Sequence, residues 1–297
     1  MSVEKRNAIL RLLVEGNSIR STCRLEGTNI PTVLRQLNWA GEHCRKLMDE
    51  RMQGLKLRHV ECDEIWTFCQ KKQSRLTIEE KATRHDIGDI YVWTAIDQDT
   101  KLMPSYIVGK RSANNARKLM MDLRSRLVTP KPHASDDHHW QEGKYRPVTQ
   151  ISTDGLVSYP EAVDLAFGPY VEFGTIIKEY RNATMAYTPS EMVGTERTVR
   201  QGKISPRTIC TSHVERNNLT IRTFMKRFTR LALGFSKKLE NLEDAVALHM
   251  AYYNFCWRTR YPDDSGKRGQ FRPPAAMLAG VAKTLWSFDD LMDGTAA

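Results

Sequence analysis

The sequence predicts an α/β domain preceded by a small all-α one. Three observations carry this. Residues 1–57 place apolar side chains at helical spacing, broken by glycines and capping residues. Residues 58–259 alternate β-branched and aromatic runs with helical patterns. From about residue 260 to 297 the chain is an arm, opening in the Pro/Gly/Arg-rich stretch RTRYPDDSGKRGQFRPP.

In the first region Ile9, Leu12 and Leu13 give one helix an apolar face, and Gly16-Asn17 stops it. Ser18 is placed to cap a second helix that runs to about Glu26. Gly27 supplies a tight turn, Asn29 caps a third helix, and Pro31 fits its first turn. Val33, Leu34 and Leu37 form the apolar face of that third helix. Cys23, Gly27 and Val33 stand at the spacing of a helix-turn-helix: a small residue where helices cross, a turn glycine, and a branched residue that locks the recognition helix. Thr32, Arg35, Gln36 and Asn38 then face outward as candidate DNA contacts. Many small helical hairpins share this pattern.

In the second region HVECDEIWTFCQ, DIYVWTAIDQ and KLMPSYIVGK are successive strands, the last two joined as a hairpin through residues 97–100. A helix follows from about Ser112 to Leu127. The polar stretch PKPHASDDHHWQEGK holds His133, Asp136, Asp137, His138 and His139. It has no regular element to fix zinc geometry and reads as a loop. PVTQISTDG is a fourth strand, Tyr159 to Ala166 a helix, and VEFGTIIKEY a fifth strand. Residues 181–211 read as an irregular basic insertion, and two helices follow, from Ser212 to about Leu233 and from about Ser236 to Trp257. The order β-β-β-α-β-α-β matches a ribonuclease H-like core, a mixed five-stranded sheet with flanking helices.

Composition narrows the function. The chain has 297 residues, 40% of them hydrophobic, which is enough for a folded core. The net charge of +10 points to a polyanionic partner, although a basic enzyme without one fits as well. No run approaches the roughly 20 apolar residues that span a bilayer, and MSVEKRNAIL carries charges where a signal peptide needs apolar residues, so a cytoplasmic protein with no membrane partner is expected. The six cysteines include no C-x-x-C pair and form no zinc-site pattern, and most are expected as small buried hydrophobes.

Three carboxylates then stand out: Asp63 inside the first strand, Asp154 at the end of the fourth, and Glu215 opening a helix. Each has an ordinary structural reading. Asp63 and Glu64 fit the exposed side of a strand, Asp154-Gly155 a turn, and Ser212-x-x-Glu215 a capping box. Together, on neighbouring strands and a helix crossing them, they form the oxygen cluster that two Mg²⁺ or Mn²⁺ ions need for in-line displacement at phosphorus. Asn218 shares a helix face with Glu215 and is placed to orient it or a metal-bound water, while His213 fits a helix cap or a substrate contact. Arg216, Asn218, Arg222, Lys226, Arg227 and Arg230 make the same helix a candidate phosphate surface. Tyr252, Tyr253, Phe255 and Trp257 are expected in the core.

The segments DEIWTF, TDGLVSYPEAV, HVERNNLTIR, FTRLALGFSKKLEN and AVALHMAYYNFCW resemble those of the DDE transposases of insertion sequence one and its relatives. The stretches LRLLVEGNSIRSTCRLEGTNIPTVLRQL and PPAAMLAGV extend the resemblance over nearly the whole chain. It implies that Asp63, Asp154 and Glu215 are the metal-binding triad. It also implies binding to terminal inverted repeats of double-stranded DNA, metal-dependent cleavage and strand transfer into target DNA, a homo-oligomer in the DNA complex, and association with the nucleoid. Two features depart from the pattern. Many relatives carry a cysteine zinc ribbon ahead of the helix-turn-helix, and no such cysteines are present here. The spacer between Asp154 and Glu215 is long and includes TERTVRQGKISPRT. Two other readings fit the same residues: a helix-turn-helix regulator with a vestigial catalytic core, and a nuclease that cuts without joining.

Overall fold

Ser2, Ser18 and Asn29 each turn a side-chain oxygen onto the backbone amide three residues on, at 3.3, 3.0 and 2.9 Å, and each begins a helix. These helices are α1 (Val3–Val14), α2 (Ile19–Leu25) and α3 (Ile30–Arg51). The computed structural model describes residues 1–128, 149–181, 191–229, 233–261 and 265–294. Between α2 and α3 the backbone of Gly27 takes φ +56, which a side chain would strain. Val33 is fully buried as expected, but the buried residue of α2 is Thr22, and the neighbouring Cys23 is only half-buried. The third helix runs 22 residues.

Among the described residues six strands follow: β1 (His59–Cys69), β2 (Gly88–Asp97), β3 (Ser105–Gly109), β4 (Gln150–Asp154), β5 (Glu172–Arg181) and β6 (Glu191–Gln201). They form one mixed sheet in the order β3-β2-β1-β4-β5-β6. The pairs β1–β4 and β4–β5 are parallel, and β1–β2, β2–β3 and β5–β6 are antiparallel. The hairpin joining β2 and β3 is held by Asp97, whose buried carboxylate accepts from the amide and hydroxyl of Thr100 at 2.8 and 2.7 Å. Five strands were expected from the sequence. The sixth occupies the centre of the segment anticipated as an irregular insertion, pairing with β5 over most of its length. Residues 182–190 of that segment, like the histidine-rich stretch from Pro130 to Lys144, lie outside the described residues.

The connecting helices are α4 (Ile78–Thr83), which the sequence pattern did not indicate, α5 (Ala113–Arg126), α6 (Ser158–Phe167), α7 (Ser212–Phe224) and α8 (Leu239–Phe255). Strand alternation gives the sheet two apolar faces. Val60, Cys62, Trp93 and Ala95 share a core with Leu119, Tyr159 and Val163 of α5 and α6. Ile65, Ile90, Val92 and Ile96 share another with Val214, Ile221, Leu242, Val246 and Met250 of α7 and α8. Helix α7 stops at Phe224 rather than near Leu233, because Met225 turns extended and a 3-10 turn at Lys226–Phe228 follows.

Helix α3 belongs to the same fabric. Its Leu37, Ala40, Cys44, Leu47 and Met48 join the first core, together with Ala247, Leu248 and Ala251 of α8. Where the two helices cross, a Cβ on Gly41 would lie 2.4 Å from that of Asp244, so only glycine permits the approach. Two short helices end the chain, α9 (Ala275–Leu278) and α10 (Phe288–Asp293). The arm they belong to returns to α1: Asp289 accepts from Asn7 at 2.6 Å and from Arg11 at 2.5 Å. Of the expected aromatic core, Tyr253 and Phe255 are buried, and Trp257 stacks on Tyr253 at 5.3 Å between ring centroids. Among the described residues no helix is long and apolar enough to cross a membrane.

Candidate metal centre

Strand β1 outruns its parallel neighbour. Its pairing with β4 spans His59–Cys62 against Gln150–Thr153, and β4 ends at Asp154. Asp63 therefore lies beside Asp154 where the inter-strand ladder gives out, at the carboxyl end of β4, the position where open α/β sheets bind ligands. Asp63, Glu64 and Asp154 each offer an oxygen, all within 4.8 Å of one another.

Each of the three is held differently. Asp63 faces α7, where the Asn218 amide donates to its Oδ2 at 2.7 Å. Glu64, next along the strand, points to the opposite face. Arg111 grips its Oε1 through Nε and a terminal nitrogen at 2.6 and 2.5 Å, and the Tyr159 hydroxyl donates to its Oε2 at 3.2 Å. Tyr159 is itself fully buried with its ring edge-on to Trp93. Asp154 accepts from the Leu156 amide at 3.0 Å, so the Asp-Gly turn seen in the sequence and the place in the carboxylate cluster are both real.

The electrostatics follow from this crowding. Burial, the neighbouring charge of Glu64 and, more weakly, Asp154 and Glu215 push the Asp63 carboxyl up to about 7. Burial and Asp154 raise Glu64, against the opposing pull of Arg111. Burial is the first cause of both shifts, and repulsion between the neighbouring carboxylates adds to it.

Glu215 stands in the first turn of α7 but outside the group of three. One of its oxygens takes a hydrogen bond from the Thr211 hydroxyl at 2.7 Å and pairs with the ammonium of Lys178 on β5. The capping box anticipated at Ser212 does not form, since Thr211 occupies the cap position and no side chain there bonds the backbone. Glu61, buried on β1, caps the helix instead. Its Oε2 accepts from the amides of His213 and Val214 at 2.8 and 3.0 Å, and its Oε1 lies 2.7 Å from His213 Nδ1. Asn218 orients Asp63 rather than Glu215.

Sequence patterning did not single out Glu61, Arg111, Tyr159 or Lys178. Of the candidate DNA contacts, Arg35, Arg216 and Lys226 are exposed, and Thr32, Gln36, Asn38 and Arg222 are half-buried. Asn218 is buried, and Arg227 turns inward to Ser236 at 2.8 Å, with burial lowering its pKa to about 10. Neither presents its polar group to a DNA surface. Arg230 lies outside the described residues. Compared with known proteins, the chain matches no family model and no curated sequence.

Proposed function

We propose that the protein is a DDE-type DNA transposase: a ribonuclease H-like catalytic core preceded by a helix-turn-helix that binds element ends. The observation that carries this reading is the meeting of Asp63, Glu64 and Asp154 within 4.8 Å where β4 ends beside the middle of its parallel neighbour β1, with Asp63 raised to about 7 by burial and then by the charge of Glu64. The strand order supports it, because β1 and β4 are neighbours as that core requires. The capped helices α2 and α3, with Arg35 exposed on α3, and the net charge of +10 support a DNA partner.

The donors suit a hard divalent cation such as Mg²⁺ or Mn²⁺, since all are carboxylate oxygens and none is sulfur or imidazole. Asp63 and Asp154 hold the cations in this reading, and Glu215 joins them from α7. Glu64 is the fourth acid, with Arg111 compensating its charge. Bound there, two such ions would supply the Lewis acidity that activates an attacking oxygen and stabilises a leaving one. Asn218 fixes the Asp63 carboxylate, and the exposed cations Arg216 on α7 and Lys226 in the 3-10 turn after it meet DNA phosphates beside the site.

The test is to incubate the full chain and Mg²⁺ with labelled double-stranded DNA carrying the ends of the element that encodes it, plus a target plasmid. Nicked ends bearing 3′-hydroxyls, and joined products, are expected. Binding without cutting would favour the regulator, and cutting without joining the nuclease.

A further inference from the structure

A second group of ligand-type side chains lies beside the carboxylates, and its chemistry is softer. Glu61, Cys210 and His213 each offer a donor atom, all within 4.8 Å of one another. Cys210 and His213 are spaced Cys-x-x-His at the start of α7, and Glu61 reaches them from β1, about 150 residues earlier in the chain. We propose that Glu61, Cys210 and His213 form a zinc site that clamps α7 to the sheet, distinct from the carboxylate cluster at Asp63 and Asp154.

Thiolate, imidazole and carboxylate together are a zinc donor set, whereas Mg²⁺ takes oxygen alone. The sulfur is prepared for it. The Ser212 amide points at Cys210 Sγ at 3.4 Å and the Ser212 hydroxyl lies 3.0 Å from it, contacts that support a thiolate. Cys210 also precedes the amino end of a helix, where the backbone dipole favours negative charge. The carboxylate is prepared too. Its Oε2 is fixed by two backbone amides of α7, leaving Oε1 facing the imidazole.

Zinc bonds of about 2.0–2.3 Å give tetrahedral edges of about 3.3–3.7 Å, so Oε1 and Nδ1, now 2.7 Å apart, separate by about 1 Å or less. On binding, the thiol proton leaves to water and the imidazole carries its proton on Nε2. Three protein ligands leave one position for water. His213 and Cys210 are both half-exposed, which gives the ion an entry path. Because α7 carries Asn218 and Glu215, the clamp would set where those side chains stand against Asp63. The proposal is independent of the reading of the protein as a transposase.

The experiment uses the full chain, without a histidine tag, substituted with Co²⁺. We expect a cobalt–thiolate charge-transfer band at about one equivalent, displaced by Zn²⁺. Cys210→Ser should lose the band, and His213→Asn should weaken cobalt binding by at least tenfold. Cys23→Ser, a half-exposed cysteine far from the group in sequence, and Asp154→Asn, at the carboxylate cluster, should keep it. Far-UV circular dichroism checks that each variant folds. No thiolate band in the wild type, or an undiminished one in folded Cys210→Ser, overturns the proposal. An undiminished affinity in folded His213→Asn also overturns it.

Discussion

The side-chain amide of Asn218 donates to Asp63 Oδ2 at 2.7 Å, joining a helix to a strand 155 residues away in sequence. The other amide atom, Oδ1, is buried and meets no hydrogen-bond partner among the described residues. Asn218 therefore has one polar duty, which is to hold the Asp63 carboxylate. Asn218→Leu keeps the branching of the side chain and removes that donor. We expect metal-dependent DNA cleavage to fall about 10- to 100-fold, the usual cost of losing a group that orients a ligand, with DNA binding unchanged. Cleavage within twofold of wild type would show that Asp63 needs no such support.

Asp154→Asn removes a charge from the cluster without changing its size. Cleavage should drop by more than about a thousandfold, equivalent to about 4 kcal/mol of barrier, while binding to DNA ends persists. The control has to avoid buried acids. Asp97 sits at the β2–β3 hairpin, but its carboxylate is buried and accepts two hydrogen bonds from Thr100, so its replacement would disturb the fold. Asp99, exposed on the same turn, is the sound control, and Asp99→Asn should cleave normally. A dead Asp99→Asn beside an active Asp154→Asn would place the chemistry elsewhere.

The raised Asp63 carboxyl makes a pH prediction with a definite sign. Its pKa is about 7 in the folded chain and about 3.9 unfolded. Between those values the folded state holds a proton that the unfolded state has lost. Metal-free stability therefore declines as pH rises from about 4 to 7, and levels off above. Glu64 shifts in the same direction. A divalent cation competes with that proton, so the rise in melting temperature on adding Mg²⁺ should be larger at pH 8 than at pH 6. Asp63→Asn should flatten the metal-free profile. An Mg²⁺ effect that does not vary between pH 6 and 8 would contradict a proton-blocked site.

The residues that could be found in the sequence are those whose neighbours in the chain announce them. Ser18 and Asn29 were legible as caps because capping is local. Asp63 and Asp154 were legible as a pair because β1 and β4 were expected to be adjacent. Glu61 was not, because the helix it caps begins at Ser212, far along the chain. Glu64 was hidden by strand alternation, which assigns it to the face opposite Asp63. Only the early end of β4 lets its long side chain come within 4.8 Å of Asp154. Strand β6 was missed because EMVGTERTVRQ is polar and largely exposed on both faces, so it has no apolar period to betray it. The division at residue 57 follows the change in periodicity, whereas packing runs across it through α3.

That packing governs what truncation would do. Removing residues 1–57 takes Leu37, Leu47, Met48, Met52 and Leu55 out of the core shared with the sheet. At about 1.5–3 kcal/mol for each side chain, the loss rivals the roughly 5–15 kcal/mol that holds a domain folded. The truncated chain should be insoluble or lack a cooperative thermal transition. A soluble fragment with wild-type melting behaviour would show that α3 is dispensable to the core.

Lys178 offers the sharpest test of how Glu215 takes part. Its ammonium pairs with the Glu215 carboxylate while Thr211 donates to the same oxygen. The lysine is mostly buried and the glutamate is 44% exposed, so the pair is partly screened and worth about 1 kcal/mol or less. If Glu215 joins Asp63 and Asp154 around a cation, that cation must compete with Lys178 for the same charge. Lys178→Gln should then tighten Mn²⁺ binding by up to about fivefold in the absence of DNA, measured by calorimetric titration. In the Glu215→Gln background the same substitution should change nothing, since the competing contact is already gone, and the difference between the two effects measures the coupling. Unchanged Mn²⁺ affinity in Lys178→Gln, or an equal gain in both backgrounds, would mean that Glu215 is paired for structure alone and that the third ligand is Glu64.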